Sequence, residues 1–257
     1  MDLKKTRALV VNCENKLAAV IALSLAANGA EVITHYRSIS GQVTELMREL
    51  ETIGRNTSTI VSTLFDEAEI AKVFKELDEH SKYPDLIINI MDTPAASHLD
   101  DTGFSKWHKA TTSNLLSCFL LTRLSVRGKL TETRATPALV LHVMNTEFLR
   151  IDTERIRVGF SETGLFAFIR RAAVEYAPSV RVNGIVLGEL DITKLDEQSE
   201  GKKDKISPLN PLKLVGNTSQ LAEFILSLAT NDFITGAIIP VDGGLHLVGS
   251  VESKLNS

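Results

Sequence analysis

The chain has 257 residues, of which 44% are apolar and 23% are charged, a composition typical of a globular protein. Its net charge of −4 offers no electrostatic basis for binding nucleic acid or an anionic membrane surface. No apolar run approaches the ~20 residues that cross a bilayer, and residues 1–7 lead straight into a strand, so we expect a cytoplasmic protein. The two cysteines, Cys13 and Cys118, stand far apart, which predicts reduced thiols and no metal site.

The first clear unit is a strand, a turn, a helix and a second strand between Ala8 and Ser38. Four apolar residues from Ala8 to Val11 predict a buried parallel strand. Apolar residues then recur at helical spacing until Asn28 and Gly29, which predict the end of the helix. This order is typical of a nucleotide-binding α/β sheet, in which a glycine-rich turn lets the backbone approach a pyrophosphate. Here the turn contains no glycine.

Strands and helices alternate along the rest of the chain. We predict helices over residues 39–53, 65–80, 107–127, 159–176 and 220–230, and strands over residues 56–64, 85–90, 138–143, 180–187 and 237–241. Residues 192–209 are polar and lysine-rich, and we expect them to form a mobile, lid-like excursion. The chain has no linker or repeat. The sequence therefore predicts one α/β domain over residues 1–257, with a Rossmann-like, doubly wound sheet of about seven mostly parallel strands and helices on both faces.

Several short motifs resemble those of the short-chain dehydrogenase/reductase family. The most specific match combines F-I-T-G at residues 233–236 with I-P-V-D-G-G at residues 239–244. R-V-N-G-I at residues 181–185, L-A at residues 221–222 and N-G-A at residues 28–30 are similar to further family motifs. All of these belong to the scaffold, so the resemblance implies the fold more strongly than the chemistry.

The cofactor positions that the resemblance implies depart from the family pattern. The phosphate loop T-G-x-x-x-G-x-G falls on Val11, Asn12, Lys16 and Ala18, so every glycine is replaced. We expect the side chains of Asn12 and Lys16 to lie where the cofactor passes, and Glu14 to place a carboxylate beside the pyrophosphate. Asn12, Glu14 or Asn15 could also cap the helix and occupy the N–H groups that a phosphate would use.

The remaining cofactor positions follow the same trend. Thr63 replaces the aspartate that contacts adenine in the family, and the N-N-A-G motif retains only Asn89, with Asp92 at its last position. Arg37 matches an arginine that NADP-dependent members often carry. We therefore expect no bound cofactor, with NADP favoured over NAD if one binds.

The catalytic positions are also replaced. Alignment on the helix at residues 159–176 places Val158 at the family's tyrosine and Glu162 at its lysine, while Asn145 replaces the serine. Asn114 alone matches, at the position of the family's asparagine. No Y-x-x-x-K occurs anywhere in the chain, and valine cannot transfer a proton. The sequence predicts no intact catalytic set and no intrinsic activity.

Three functions are compatible with this pattern. The first is a non-catalytic subunit that assembles with a homologous active subunit, as a hetero-oligomer of tetrameric size, through the two long helices. The second is an active NADP(H)-dependent alcohol dehydrogenase or ketoreductase with a rebuilt site, using Glu162, His142, Asp92 or Glu147 as acid or base. The third is a protein of the same fold that senses another ligand in the cleft. We expect the first.

Overall fold

The computed structural model describes residues 1–53, 57–63, 67–79, 83–91, 103–131, 136–145, 156–188, 190–191 and 210–248. Among these residues, no helix is both long and apolar enough to cross a membrane. The predicted lid-like excursion at residues 192–209 lies outside the described residues.

The architecture is a seven-stranded sheet in which every pair of neighbouring strands is parallel. Its strands lie in the order β3-β2-β1-β4-β5-β6-β9. Their bounds are β1 Arg7–Val11, β2 Glu31–Tyr36, β3 Thr57–Val61, β4 Leu86–Ile90, β5 Ala138–Asn145, β6 Val180–Leu187 and β9 Ile238–Val241. Two short strands, β7 Leu190–Asp191 and β8 Gly216–Asn217, pair separately. The order of the sheet reverses between β1 and β4, where open α/β sheets bind their ligands.

Helices cover both faces of this sheet. They are α1 Lys16–Ala27, α2 Gly41–Thr52, α3 Glu67–Glu79, α4 Phe104–Thr111, α5 Ser117–Thr131, α6 Ile156–Glu175 and α7 Thr218–Thr230. One apolar core contains buried residues of α1, α2 and α7, and the other contains buried residues of α3, α5 and α6. Along β1, Ala8 and Val10 belong to the first core, whereas Leu9 and Val11 belong to the second. The predicted fold class is therefore confirmed.

The structure differs from the prediction in the first long helix. Residues 107–127 were expected to form one helix, but a π-helical turn, Thr112–Leu116, separates α4 from α5. A π turn inserts an extra residue into the helical repeat and rotates the side chains that follow it, and such turns are frequent at functional sites. Asn114 lies in this turn.

Two polar side chains of the R-V-N motif explain why it belongs to the scaffold. The buried guanidinium of Arg181 donates to the carbonyl oxygens of Leu228 and Ala229, at 3.3 and 3.2 Å, near the end of α7. Asn183 donates to the carbonyl oxygen of Ile234 and accepts from the N–H of Ala237, both at 3.0 Å. The motif therefore fastens β6 to the end of α7 and to the turn before β9.

The ends of β6 and β9 approach each other closely at Gly188. Its N–H donates to the carbonyl oxygen of Val241 at 3.0 Å. A Cβ atom at this position would lie 2.6 Å from the Cα atom of Asp242, so the backbones leave no room for a side chain. The Asp242 carboxylate accepts from the N–H groups of Gly244 and His246, which fixes the turn after β9.

Candidate functional site

The turn after β1 keeps the backbone shape of a glycine turn without a glycine. Asn12 has a φ of 71°, in the left-handed region that asparagine tolerates better than most residues. Its side-chain amide donates to the carbonyl oxygen of Ile90 at 3.1 Å, and the residue is 9% exposed. The expectation that this side chain lies in the path of a cofactor is wrong, because its hydrogen bond directs the amide into the sheet between β1 and β4.

A buried histidine, which the sequence did not single out, holds this turn in place. The Nδ1 atom of His35 accepts from the N–H of Asn12 at 3.3 Å, so the ring proton must be on Nε2, which lies 2.9 Å from the carbonyl oxygen of Ser62. Burial lowers the pKa of His35 to about 4, so the ring is neutral near pH 7. A single histidine inside an apolar strand gave no signal of this bridge between three strand ends.

Glu14 also lies where the sequence did not place it. Instead of standing beside the pyrophosphate position, its carboxylate reaches the carboxyl end of β2. There Oε1 accepts from the N–H groups of Arg37 and Ser38, the latter at 3.4 Å. The Arg37 guanidinium lies 3.9 Å from the same oxygen. The turn after β1 and the turn after β2 are thus joined by one carboxylate.

The start of α1 confirms one of the proposed caps. The side-chain oxygen of Asn15 accepts from the N–H of Leu17 at 2.9 Å, as an N-cap residue does. Lys16 is exposed at the first position of the helix, while Val11 and Ala18 are buried in the two cores. Of the four phosphate-loop positions, only Lys16 presents an exposed side chain at this edge.

Asn89, the next-to-last residue of β4, belongs to a buried network with residues of α5 and β5. Its Nδ2 donates to Sγ of Cys118 at 3.1 Å and to Nδ1 of His142 at 3.3 Å. The hydroxyl of Thr122 donates to the carbonyl oxygen of Cys118 at 2.9 Å and therefore accepts from Nε2 of His142 at 3.1 Å. This assignment uses both amide hydrogens of Asn89 and fixes the tautomer of His142.

The network excludes His142 as an acid or base of a rebuilt site near neutral pH. The residue is fully buried, and burial lowers the pKa of His142 to about 3. Burial likewise raises the pKa of the Cys118 thiol to about 12, so this cysteine is not a nucleophile. Of the other cofactor positions, Thr63 is exposed after β3, whereas Asp92 and the alternative acid Glu147 lie outside the described residues.

The predicted catalytic positions lie on elements that meet at the same edge of the sheet. β5 extends two residues beyond its predicted end at residue 143, so Asn145 is its last residue, and Val158 and Glu162 lie one turn apart on α6. The π turn packs on α6, since a Cβ at Gly164 would lie 3.1 Å from Cδ2 of Leu115. Within the described part of the chain, Nδ2 and Oδ1 of the buried Asn114 have no hydrogen-bond partner.

The family model described as Enoyl-(Acyl carrier protein) reductase matches residues 12–246. The chain belongs to the short-chain dehydrogenase/reductase family. It is 23% identical to the 3-oxoacyl-[acyl-carrier-protein] reductase FabG of Pseudomonas aeruginosa, over 96% of this chain and 100% of the relative. It is 27% identical to the 2-dehydro-3-deoxy-D-gluconate 5-dehydrogenase of Pseudoalteromonas atlantica, over 92% of this chain and 94% of the relative.

A solved structure of the family has the same fold. The acetoin dehydrogenase from Enterobacter cloacae superposes with a TM-score of 0.84 at 20% identity, over 94% of this chain and 96% of that one. The likeness extends over nearly the whole of both chains, so the fold of the family is retained throughout the described sheet.

The comparisons overturn two predictions. The interpretation as a non-catalytic subunit is wrong, because relatives that match nearly the whole chain are named as reductases and dehydrogenases. The sequence also suggested a narrower identity, an inactive subunit of 2-[hydroxy(phenyl)methyl]succinyl-CoA dehydrogenase, which none of the relatives named here shows. The expectation of no cofactor is also wrong, since oxidoreductases of this family use NAD(P)(H). The sequence overestimated the obstacle at two positions. The Asn12 side chain, expected where the cofactor passes, bonds to Ile90, and the Glu14 carboxylate, expected beside the pyrophosphate, bonds to the backbone of Arg37. Lys16, also expected where the cofactor passes, is exposed at the start of α1.

Proposed function

We propose that this protein is an NAD(P)(H)-dependent oxidoreductase that interconverts an alcohol and a carbonyl compound. The observation that carries the proposal is the match to named dehydrogenases and reductases over 92–96% of the chain. The substrate class is that of an alcohol dehydrogenase or ketoreductase. The cytoplasmic location and the single domain remain predictions.

The side chains at the carboxyl ends of β1 and β2 fit a dinucleotide. Lys16 is an exposed residue at the N-terminus of α1, where its charge and the helix dipole both favour a pyrophosphate. The left-handed Asn12 supplies the turn that glycine supplies elsewhere. Glu14 and Arg37 stand at the end of β2, the place of an adenosine ribose in such sheets. When bound, the cofactor gives or takes the hydride.

Hydride transfer also requires a proton at the substrate oxygen, and we assign that proton to Glu162. Val158 has no proton to give, and Glu162 follows it by one turn on α6. A carboxyl group can act as general acid when its surroundings favour the protonated form. Asn114 and Asn145 occupy the sequence positions of the family's asparagine and serine, and in this proposal an amide N–H there donates to the substrate oxygen.

The Glu162→Gln variant tests this assignment. Removing a general acid reduces kcat by about 10²–10⁴-fold, while cofactor affinity should change little because the hydride donor is held at the ends of β1 and β2. Turnover is followed by NADH or NADPH absorbance with 3-oxoacyl thioesters and small hydroxyketones as substrates.

The matched control is Glu175→Gln, which makes the same change at the last residue of the same helix. Its kcat should equal that of the wild type. A Glu162→Gln protein that retains wild-type kcat would remove Glu162 from the mechanism, and the absence of turnover by the wild type with every substrate would contradict the proposed activity.

The protein also assembles, in this proposal, with a homologous subunit of the same family as a tetramer. The support is an apolar surface on α5 and the turn before it, where Leu116 and Phe119 remain 41% and 38% exposed. The rings of Phe119 and of the partly buried Phe168 on α6 form a T-shaped pair, with centroids 6.1 Å apart. Covering these side chains would remove apolar surface from water.

A further inference from the structure

One carboxylate occupies the carboxyl end of β2. Glu14 reaches it from the turn after β1, and its Oε1 atom accepts from the backbone N–H groups of Arg37 and Ser38. These contacts fix the position of the second oxygen, Oε2. The acid of an NAD-binding sheet usually comes from the end of β2 itself, whereas here the preceding turn supplies it.

The second oxygen of this carboxylate lacks a donor. Oε2 of Glu14 is buried, and no hydrogen-bond partner reaches it within the described part of the chain. A buried carboxylate oxygen without a donor is unfavourable, and native proteins usually satisfy such a group with water or a ligand. The Glu14 side chain as a whole is 23% exposed, so a small rotation of the carboxylate would bring Oε2 within reach of a hydroxyl donor at this edge.

We infer that Glu14 selects NAD(H) over NADP(H), by accepting a hydrogen bond from the 2′-hydroxyl of the adenosine ribose. The inference rests on the proposed function, since it concerns the form of the cofactor used there. NADP(H) carries a phosphate at the same ribose oxygen. That group has no hydrogen to donate when ionised, and its negative charge would face the Glu14 carboxylate.

Arg37 does not reverse this preference. Its guanidinium faces Glu14, with Nε 3.9 Å from Oε1, so the charge that would otherwise attract a 2′-phosphate is balanced by the carboxylate. The sequence prediction that Arg37 favours NADP considered this arginine alone. In the structure, the contact between Arg37 and Glu14 changes the predicted preference from NADP to NAD.

The experiment is a binding titration of NADH and NADPH, followed by the fluorescence of the bound nicotinamide, with the wild type and two variants. Wild-type protein should bind NADH at least about tenfold more tightly than NADPH, a difference that one repulsive charge contact readily provides. Glu14→Gln removes the charge and keeps the shape, so it should tighten NADPH binding at least about fivefold and reduce the preference.

Glu31→Gln is the matched control. Glu31 stands at the opposite end of β2 and also pairs with an arginine, Arg7, at 3.1 Å. Losing this pair should leave the ratio of the two affinities unchanged, because the site is at the other edge of the sheet. Melting temperatures of all three proteins show whether each variant is folded.

Each result decides one question. Tighter binding of NADPH than NADH by the wild type would overturn the role of Glu14 and leave the proposed oxidoreductase intact. A folded Glu14→Gln variant with the wild-type ratio of NADH to NADPH affinity would also overturn the role of Glu14. Wild-type protein that binds neither cofactor at millimolar concentration would instead overturn the proposed function, and the inference with it.

Discussion

Two buried histidines make the stability of this protein depend on pH. Burial lowers the pKa of His35 to about 4 and the pKa of His142 to about 3, whereas both titrate near 6.5 in an unfolded chain. Above about pH 6.5 both histidines are neutral in the native and in the unfolded chain, so their burial does not reduce the free energy of unfolding. Below about pH 6.5 the two histidines of the unfolded chain take up protons, whereas those of the native state stay neutral. The free energy of unfolding therefore falls by up to about 2.7 kcal/mol per pH unit until about pH 4.

Urea unfolding at several pH values between 7 and 4 measures this slope. The His35→Gln variant should show about half of the wild-type slope, because only one buried histidine then takes up a proton on unfolding. The control is His108→Gln on the exposed side of α4, which should follow the wild type. Equal slopes for wild type and His35→Gln would show that this ring is not kept neutral by the fold.

At the scale of elements, the close approach of β6 and β9 limits what can stand at Gly188. The Cβ of an alanine would lie 2.6 Å from the backbone Cα of Asp242, and a backbone cannot yield as a flexible side chain can. We expect Gly188→Ala to separate the strand ends and to lower the free energy of unfolding by about 2–4 kcal/mol. Chemical denaturation gives this value directly.

Gly41 offers the corresponding control. It begins α2, and a Cβ built there meets no atom within 4 Å. Gly41→Ala should leave stability unchanged or raise it by up to about 1 kcal/mol, since alanine is the better helix former. A loss at Gly188 no larger than the change at Gly41 would mean that the two strand ends separate without cost.

At the scale of the whole molecule, the proposed assembly depends on the apolar surface of α5. A charge at its centre should oppose burial, so Phe119→Glu should reduce the mass measured by light scattering after size exclusion. Phe104→Glu is the control, because Phe104 is 83% exposed at the start of α4, outside this surface. A monomeric wild type, alone and when co-expressed with intact family members, would contradict the assembly.

The fold was predictable because its signals are local. The apolar strand at Ala8–Val11 and the helix end at Asn28 and Gly29 depend on neighbouring residues. The R-V-N and V-D-G-G motifs are short strings that can be recognised in the sequence, although Arg181 bonds to Leu228 across 47 positions. Alternation of strands and helices then leaves few possible topologies. The seven parallel strands appear at the predicted places within a few residues.

The site was less predictable because its contacts join distant residues. Glu14 meets Arg37 and Ser38 across 23 and 24 positions, and Asn89 meets His142 across 53. The direction in which the Glu14 and Asn89 side chains point cannot be predicted from the spacing of residues along one strand or helix. The replaced glycine positions suggested an obstructed loop, but the conformation of Asn12 depends on His35 and Ile90, which only the folded sheet brings to it.

The central position of β1 has a consequence for the order in which the chain folds during synthesis. One edge of β1 pairs with β2, beginning with Arg7 opposite Glu31. The other edge pairs with β4, with Ala8 opposite Leu86, and β4 is synthesised much later. A nascent chain that has emerged only as far as β3 therefore carries an unpaired, apolar strand edge, the kind of surface that promotes aggregation. The edge is covered only after residues 86–90 have left the ribosome, so we expect the first half of the chain to be prone to aggregation during synthesis.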